Sequence, residues 1–316
     1  MSVPVCTIAC CTHKPNPDFL RQVMENIRHQ TILEQLEILI INNDTESFPV
    51  NVCSILSSVP QLRIVQEIQP GLTKARERAA REATAEILIF LDDDNLLHAD
   101  YAEQAVRYLK AHPEVACIGG KVNPEYFEAP PDWFAGMERY LACRDLGDDE
   151  VRVTPEDFTP ERIGNITHRF PLGAGMAVRR KLLSAFFDEK SVDKPRITDR
   201  MGVQSFSCGG DVEICLWLLS KGHQLSYVSM LSLRHLIPAS RLKQEYLERI
   251  VEEASRTWVI LSWMYGVESF QPLGYWGWVM RRVKLWFRRG RGSTLKGRLA
   301  YAHSCGIFRG RREIGR

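Results

Sequence analysis

Apolar residues in the N-terminal third of the chain fall into short continuous runs separated by stretches of helical spacing. Val5 to Cys11 is apolar and is bounded by Pro4 and by Thr12-His13-Lys14-Pro15, which predicts a buried strand ending in a loop. Asn16 followed by Pro17 reads as a cap with a first-turn proline, and Leu20, Val23, Met24 and Ile27 recur at helical spacing as far as Gln30. Glu37 to Ile41 is a second strand-like run that breaks at Asn42-Asn43-Asp44, and Leu62 to Val65 is a third. Thr73 to Thr84 favours helix, Ile87 to Leu91 is a β-rich run that stops at Asp92-Asp93-Asp94, and Tyr101 to Ala111 is helical again. This alternation predicts an α/β fold with a mostly parallel central sheet and helices on both faces. Past Gly120 the pattern is irregular, with Pro130-Pro131 and a mixed polar stretch from Asp145 to Asn165, and apolar order resumes at Phe170 to Val178. A further helix is predicted from Asp211, with Val212, Cys215, Leu216 and Leu219 on one face and Gly222 as a stop, followed by a strand over Gln224 to Val228.

In open α/β sheets ligands bind beyond the carboxyl ends of the strands, so the loops at Thr12 to Pro15, Asn42 to Thr45 and Asp92 to Asn95 are expected on one edge. Three adjacent carboxylates at a strand end are costly, since two unit charges about 4 Å apart repel by about 4 kcal/mol at an effective dielectric near 20. A hard divalent cation, Mg²⁺ or Mn²⁺, offsets that cost best, because it takes oxygen ligands and commonly engages only one or two carboxylates. Side chains alternate along an extended segment, which sends Asp92 and Asp94 to one side and Asp93 to the other, with Asp94 as the direct ligand. The plain alternative is a solvated acidic turn that caps the helix near Asp100.

Composition narrows the classes. The chain has 316 residues, 45% of them hydrophobic and 25% charged, enough for a substantial core in one large domain or two small ones. A formal charge of +2 does not point to nucleic acid as the partner of the whole molecule. The nine cysteines lack paired C-x-x-C spacing, and several sit in apolar runs, which predicts buried reduced thiols. The N-terminus carries no basic region followed by an apolar stretch of signal-peptide length, so a cytoplasmic location is expected.

Gly71-Leu72-Thr73-Lys74-Ala75-Arg76, then Glu86 to Phe90 and Leu91-Asp92-Asp93-Asp94, then Leu172-Gly173-Ala174-Gly175-Met176-Ala177-Val178-Arg179, Gly209-Gly210-Asp211-Val212-Glu213 and Arg234-His235 occur in that order. Together they resemble the inverting glycosyltransferase family 2 with its GT-A fold, over residues 4 to about 250. The resemblance implies transfer of a sugar from a nucleotide-diphosphate donor to an acceptor hydroxyl, in polysaccharide, lipid-linked glycan or glycoconjugate synthesis. It places a divalent metal on Asp94, with Asp92 touching the nucleotide ribose or the metal through water, and it matches Asp211 to the catalytic base. His235 matches a late histidine that completes the metal shell or touches the diphosphate; the alternative is a structural histidine. Thr12, Asn42, Asp44, Arg76 and Asp93 are assigned to the donor, and Gly173, Gly175, Trp133 and Glu213 to the acceptor; read from the residues themselves, the alternatives are a surface salt bridge for Arg76, a plain turn for the two glycines, buried packing for Trp133 and a neighbouring arginine for Glu213. The family carries an aspartate after its second strand where this chain has Asn42, with Asp44 two places on, which leaves the nucleotide open. A single displacement needs no enzyme nucleophile, in keeping with the lack of a serine or cysteine nucleophile motif.

Two other classes remain at this stage. A sugar-1-phosphate nucleotidyltransferase would need a glycine-rich loop with a basic residue straight after the first strand, which Thr12-His13-Lys14-Pro15 does not supply. A non-catalytic glycan- or lipid-binding protein on the same fold is the other. Residues 1–240 are read as the catalytic domain, with 1–120 the nucleotide-sugar half and 121–240 the acceptor half, and 241–316 as a helical extension. From Trp258 onward aromatic and basic residues interleave, and twelve Lys and Arg against one acid follow Met280. That composition suits peripheral contact with an anionic membrane through 258–316, on the cytoplasmic face; Glu268, Gln271 and Pro272 argue against a spanning helix, and packing on the catalytic domain is the alternative.

Overall fold

The computed structural model describes residues 3–43, 59, 62–193, 208–267, 270, 277, 280 and 294–315. Strands β1 (Cys6–Thr12), β2 (Leu36–Asn43), β3 (Leu62–Glu67) and β4 (Ile87–Asp92) pair in parallel in the order β3-β2-β1-β4. They alternate with α1 (Pro17–Ile27) and α2 (Leu72–Glu82). The sheet continues through β8 (Ala177–Arg179), β6 (Val115–Tyr126), β9 (Gln224–Ile237) and β5 (Asn95–Leu97), with β7 (Val151–Val153) against β9. β8 runs antiparallel to both neighbours, β6 and β9 are parallel, and β5 and β7 run antiparallel to β9, so the sheet is mixed in its second half.

Burial on both faces explains the unbroken apolar runs. Cys6, Ile8 and Cys10 of β1 pack with Leu20, Val23, Met24 and Ile27 of α1 and with α3 (Tyr101–Ala111). Ala9 and Cys11 face the opposite layer, built from α2, α5 (Arg180–Asp193) and α6 (Gly210–Ser220); the single turn α4 (Ile163–Ile166) adds Ile163 to it. The Asn16 side chain accepts from the amides of Asp18 and Phe19 ahead of Pro17, the arrangement its sequence signals. Helix α1 stops at Ile27, three residues before the predicted Gln30. None of the eight described cysteines forms a disulfide and six are buried; Cys53 lies outside the described residues.

Glu37 of β2 ties this half together. Its carboxylate accepts from the Thr7 hydroxyl at 2.6 Å, the Thr84 amide at 2.8 Å and the Arg63 guanidinium at 3.0 Å. Burial opposes the charge, but these donors outweigh it and hold the carboxyl below its ordinary range. A depressed folded value stabilises above the unfolded one, and that contribution is lost as pH falls through the folded value. Glu37→Gln is therefore expected to cost about 1–3 kcal/mol near neutral pH and to lessen the acid sensitivity of urea unfolding; an unchanged pH dependence would remove Glu37 as its source.

The chain past Gly120 departs from the sequence pattern. β6 runs on through Gly119-Gly120 to Tyr126, and β9 extends to Ile237 rather than ending near Val228. Within Phe170 to Val178 only the end is strand, because Leu172 to Met176 form a loop in which Gly175 has φ +77°. Helix α7 (Gln244–Tyr265) and helix α8 (Leu295–Glu313) pack against each other. Their pairing is charged at its rim: Arg298 meets Glu248, Arg309 meets Glu252 at 2.8 Å, and Arg256 meets Glu313 at 2.8 Å. Some of the tail's basic charge is thus neutralised within the chain. Among the described residues no helix is long and apolar enough to cross a membrane.

Candidate active site

The carboxyl ends of β1, β2 and β4 lie together, as parallel pairing requires: Thr12 is in register with Asn42, and Cys11 with Asp92. Beyond them opens a cleft of about 320 Å³ lined by Arg76, Asp92, Asp94, Gly173, Asp211 and His235, among others. Asp93 turns away to β1, where its carboxylate accepts from the Thr12 hydroxyl. Burial, and next to it the charge of Asp94, pushes the Asp93 carboxyl up to about 7, with Thr12 opposing the rise.

Asp94 meets His235 because of β5, a strand only three residues long. Asn95 is in register with His235, and the Leu236 amide donates to the Asp94 carbonyl at 2.8 Å. Asp94 Oδ2 then lies 3.4 Å from His235 Nε2, with both side chains buried. The turn Ala239–Leu242 brings in Arg241, whose Nη2 donates to Asp94 Oδ2 at 2.7 Å and whose Nη1 donates to His235 Nε2 at 2.7 Å. A guanidinium has no acceptor, so Nε2 accepts and the ring proton sits on Nδ1, 3.9 Å from Cys143 Sγ. A carboxylate oxygen and an imidazole lone pair side by side, already bridged by a cation, suit a divalent ion that draws its remaining ligands from phosphate and water. Among the described residues no group of three or more His, Cys, Asp or Glu side chains is arranged to hold a metal by itself.

Asp211 opens the first turn of α6. Its Oδ2 accepts from the Gly173 amide at 2.8 Å and its Oδ1 from the Val212 amide at 2.9 Å, which orients the carboxylate. The turn before it needs glycine: Gly209 has φ +114°, and a Cβ there would sit 2.6 Å from Thr257 of α7. Arg76, from α2, is 4% exposed, lies 5.3 Å over the Phe90 ring and makes no ion pair among the described residues. A buried charge without a counter-ion is expensive, so this guanidinium calls for an anion in the cleft.

The remaining expected residues are placed differently. Asn42 is buried at the end of β2, and its amide donates to Gln66 at 2.7 Å. Gly175 is not among the residues lining the cleft, and its carbonyl accepts from the Tyr101 hydroxyl at 2.6 Å. Glu213, 1% exposed, is not among the residues lining the cleft, and neither is Trp133, which packs edge-on against Phe134. Asp44 lies outside the described residues. One wall was not anticipated: Tyr246, Ile250, Ala254, Thr257, Trp258 and Leu261 of α7 face the cleft, though α7 follows residue 240. Their spacing of three and four was the available signal.

Residues 4–257 match the family model described as "Glycosyltransferase like family 2". The chain belongs to glycosyltransferase family 2. Curated relatives include the "Glucosyl-dolichyl phosphate glucuronosyltransferase" of Haloferax volcanii, 24% identical over 160 residues that make up 49% of this chain and 50% of the relative. The "Amylovoran biosynthesis glycosyltransferase AmsE" of Erwinia amylovora is 24% identical over 35% of this chain and 42% of its own length. The chain spans half or less of the length of these relatives. Among solved structures, GalNAc-T7 with UDP, GalNAc and Mn²⁺ superposes with a TM-score of 0.52 at 14% identity, covering 84% of this chain and 55% of that one. S. aureus TarS 1-349 superposes with a TM-score of 0.51 at 12% identity, covering 97% and 89%. At such identities the superpositions establish the GT-A fold.

Proposed function

We propose that this glycosyltransferase moves a sugar, with inversion, from a nucleotide-diphosphate donor to an acceptor hydroxyl in the cleft between β4, α6 and α7. The observation that carries the reading is the buried Arg76 guanidinium, without an ion pair among the described residues, in the same cleft as Asp92, Asp94 and Asp211. Arg76 pairs with the donor diphosphate, whose charge it is placed to neutralise. Asp94 and His235 would hold Mn²⁺ or Mg²⁺, which would supply Lewis-acid stabilisation of the departing diphosphate. Asp92 contacts the ribose, and Thr12 and Asn42 shape the nucleotide end, with Asp93 held by Thr12. Asp211, aimed by the Gly173 and Val212 amides, takes the proton of the attacking hydroxyl. No covalent enzyme intermediate is required.

For the acceptor we favour a glycan on an apolar carrier. Ile250, Ala254, Trp258 and Leu261 give the cleft an apolar wall beside Asp211, and the basic residues from Arg281 to Arg291 would hold such an enzyme at an anionic, cytoplasmic-face membrane surface. The test is incubation of the full chain with a panel of nucleotide-sugars, glycan acceptors and Mn²⁺. Release of a nucleoside diphosphate and an inverted glycosidic bond is the expected result, abolished by Asp94→Asn. Release or exchange of pyrophosphate instead would assign a nucleotidyltransferase, and no turnover of any kind would favour a binding protein.

A further inference from the structure

We infer that Arg241 is the resident counter-cation of the proposed metal site: its guanidinium bridges Asp94 and His235 while the divalent ion is absent, and the ion must displace it to bind. The inference rests on the reading of Asp94 and His235 as metal ligands. Arg241 uses the very atoms that a metal would need. Nη2 occupies Asp94 Oδ2 at 2.7 Å and Nη1 occupies the His235 Nε2 lone pair at 2.7 Å. An imidazole nitrogen has one lone pair, so it serves the arginine or the metal and never both. The two states therefore exclude each other at His235.

The arrangement is a stable one in the absence of metal. Asp94 and His235 are 6% and 5% exposed, and a buried carboxylate requires a charge partner, which the fork of Arg241 supplies through a charge-assisted bond. The same fork is built to leave. Arg241 stands on a short turn after Pro238, not in the sheet, with its side chain 19% exposed, so rotation about its side-chain bonds moves the guanidinium without disturbing β9. Arg241 also lines the cleft that holds Arg76, so once released it remains where a diphosphate gives it a new partner.

Competition of this kind weakens metal binding by the fraction of molecules in which the site is open. If the bridge is closed in about nine molecules of ten, the apparent Kd for metal is raised about tenfold. Arg241→Met removes the competitor and keeps the apolar stem, so it is expected to bind Mn²⁺ about tenfold more tightly than the wild-type chain, in the absence of any nucleotide. Titration calorimetry, or the electron paramagnetic resonance signal of free Mn²⁺, reads this without an activity assay. Arg241→Lys keeps the charge but cannot bridge both ligands, and is expected to fall between the two; it serves also if Arg241→Met folds poorly by circular dichroism. Mn²⁺ binding no tighter in either variant than in wild type would overturn the inference. Asp94→Asn separates the two layers of the argument. Loss of Mn²⁺ binding in Asp94→Asn without a gain in the Arg241 variants removes only the role of Arg241, whereas binding that survives Asp94→Asn removes the metal site itself and this inference with it.

Discussion

Asp211→Asn is expected to lower turnover by about 10²- to 10⁴-fold, the usual contribution of a positioned general base. The substitution is nearly isosteric, and the asparagine oxygen can still accept from the Gly173 amide that Asp211 meets at 2.8 Å. What it loses is the ability to carry away a proton. The fall should appear in kcat, with the donor KM and the melting temperature little changed, since the Asp211 carboxylate bonds to the Gly173 and Val212 amides and, among the described residues, not to Asp94 or His235. Steady-state kinetics with saturating donor would measure it. A variant that keeps turnover within a few-fold of wild type would take the proton-acceptor role from Asp211.

A second large effect is expected in stability. β6 and β9 keep register from Cys117 with Leu225 to Gly119 with Tyr227 and resume it at Lys121 with Ser232, so Val228 to Leu231 of β9 bulge out opposite Gly120. The bulge drives the Leu231 backbone against Gly120: a Cβ there would lie 1.8 Å from the Leu231 carbonyl oxygen and 2.5 Å from Leu231 Cβ. Backbone cannot step aside as a flexible side chain can. Gly120→Ala is expected to cost about 3 kcal/mol, at the upper end for overpacking, read as a lower midpoint in urea with an unchanged slope. Because the same strand carries His235 beyond the bulge, Mn²⁺ affinity should fall as well. An alanine variant as stable as wild type would show that the two strands can separate at this point without penalty.

The two substitutions probe parts of the molecule that differed in how far they could be read in advance. Asp211 was visible as the acid after Gly209-Gly210 at the head of an apolar helical stretch, and α6 begins there. Gly120 was not readable. In the linear pattern Gly119-Gly120 looks like an end to order, yet β6 runs through it, because the close approach of Leu231 demands a residue without a side chain.

The same division holds at the proposed metal site. Ile87 to Leu91 followed by aspartates marked a strand end, and β4 ends at Asp92. The resemblance offered His235 for the same metal, but neither the strand that carries Asp94 to it nor Arg241 could be inferred in that way. β5 is too short to show alternation, and it exists because β9 pairs with it. Arg241, 147 positions from Asp94, carries no motif, and only the turn after β9 brings it to the carboxylate.

The order of residues alone determined the parallel α/β half, the cap at Asn16-Pro17 and the family membership, since apolar period, capping and motif spacing are local properties that survive without knowledge of any distant contact. Tertiary structure alone decided that Arg241 bridges Asp94 and His235, that β6 and β9 bulge around Gly120, and that α7 walls the cleft. Each of these depends on pairing or packing between segments far apart in the chain, where neither partner's own pattern encodes the other.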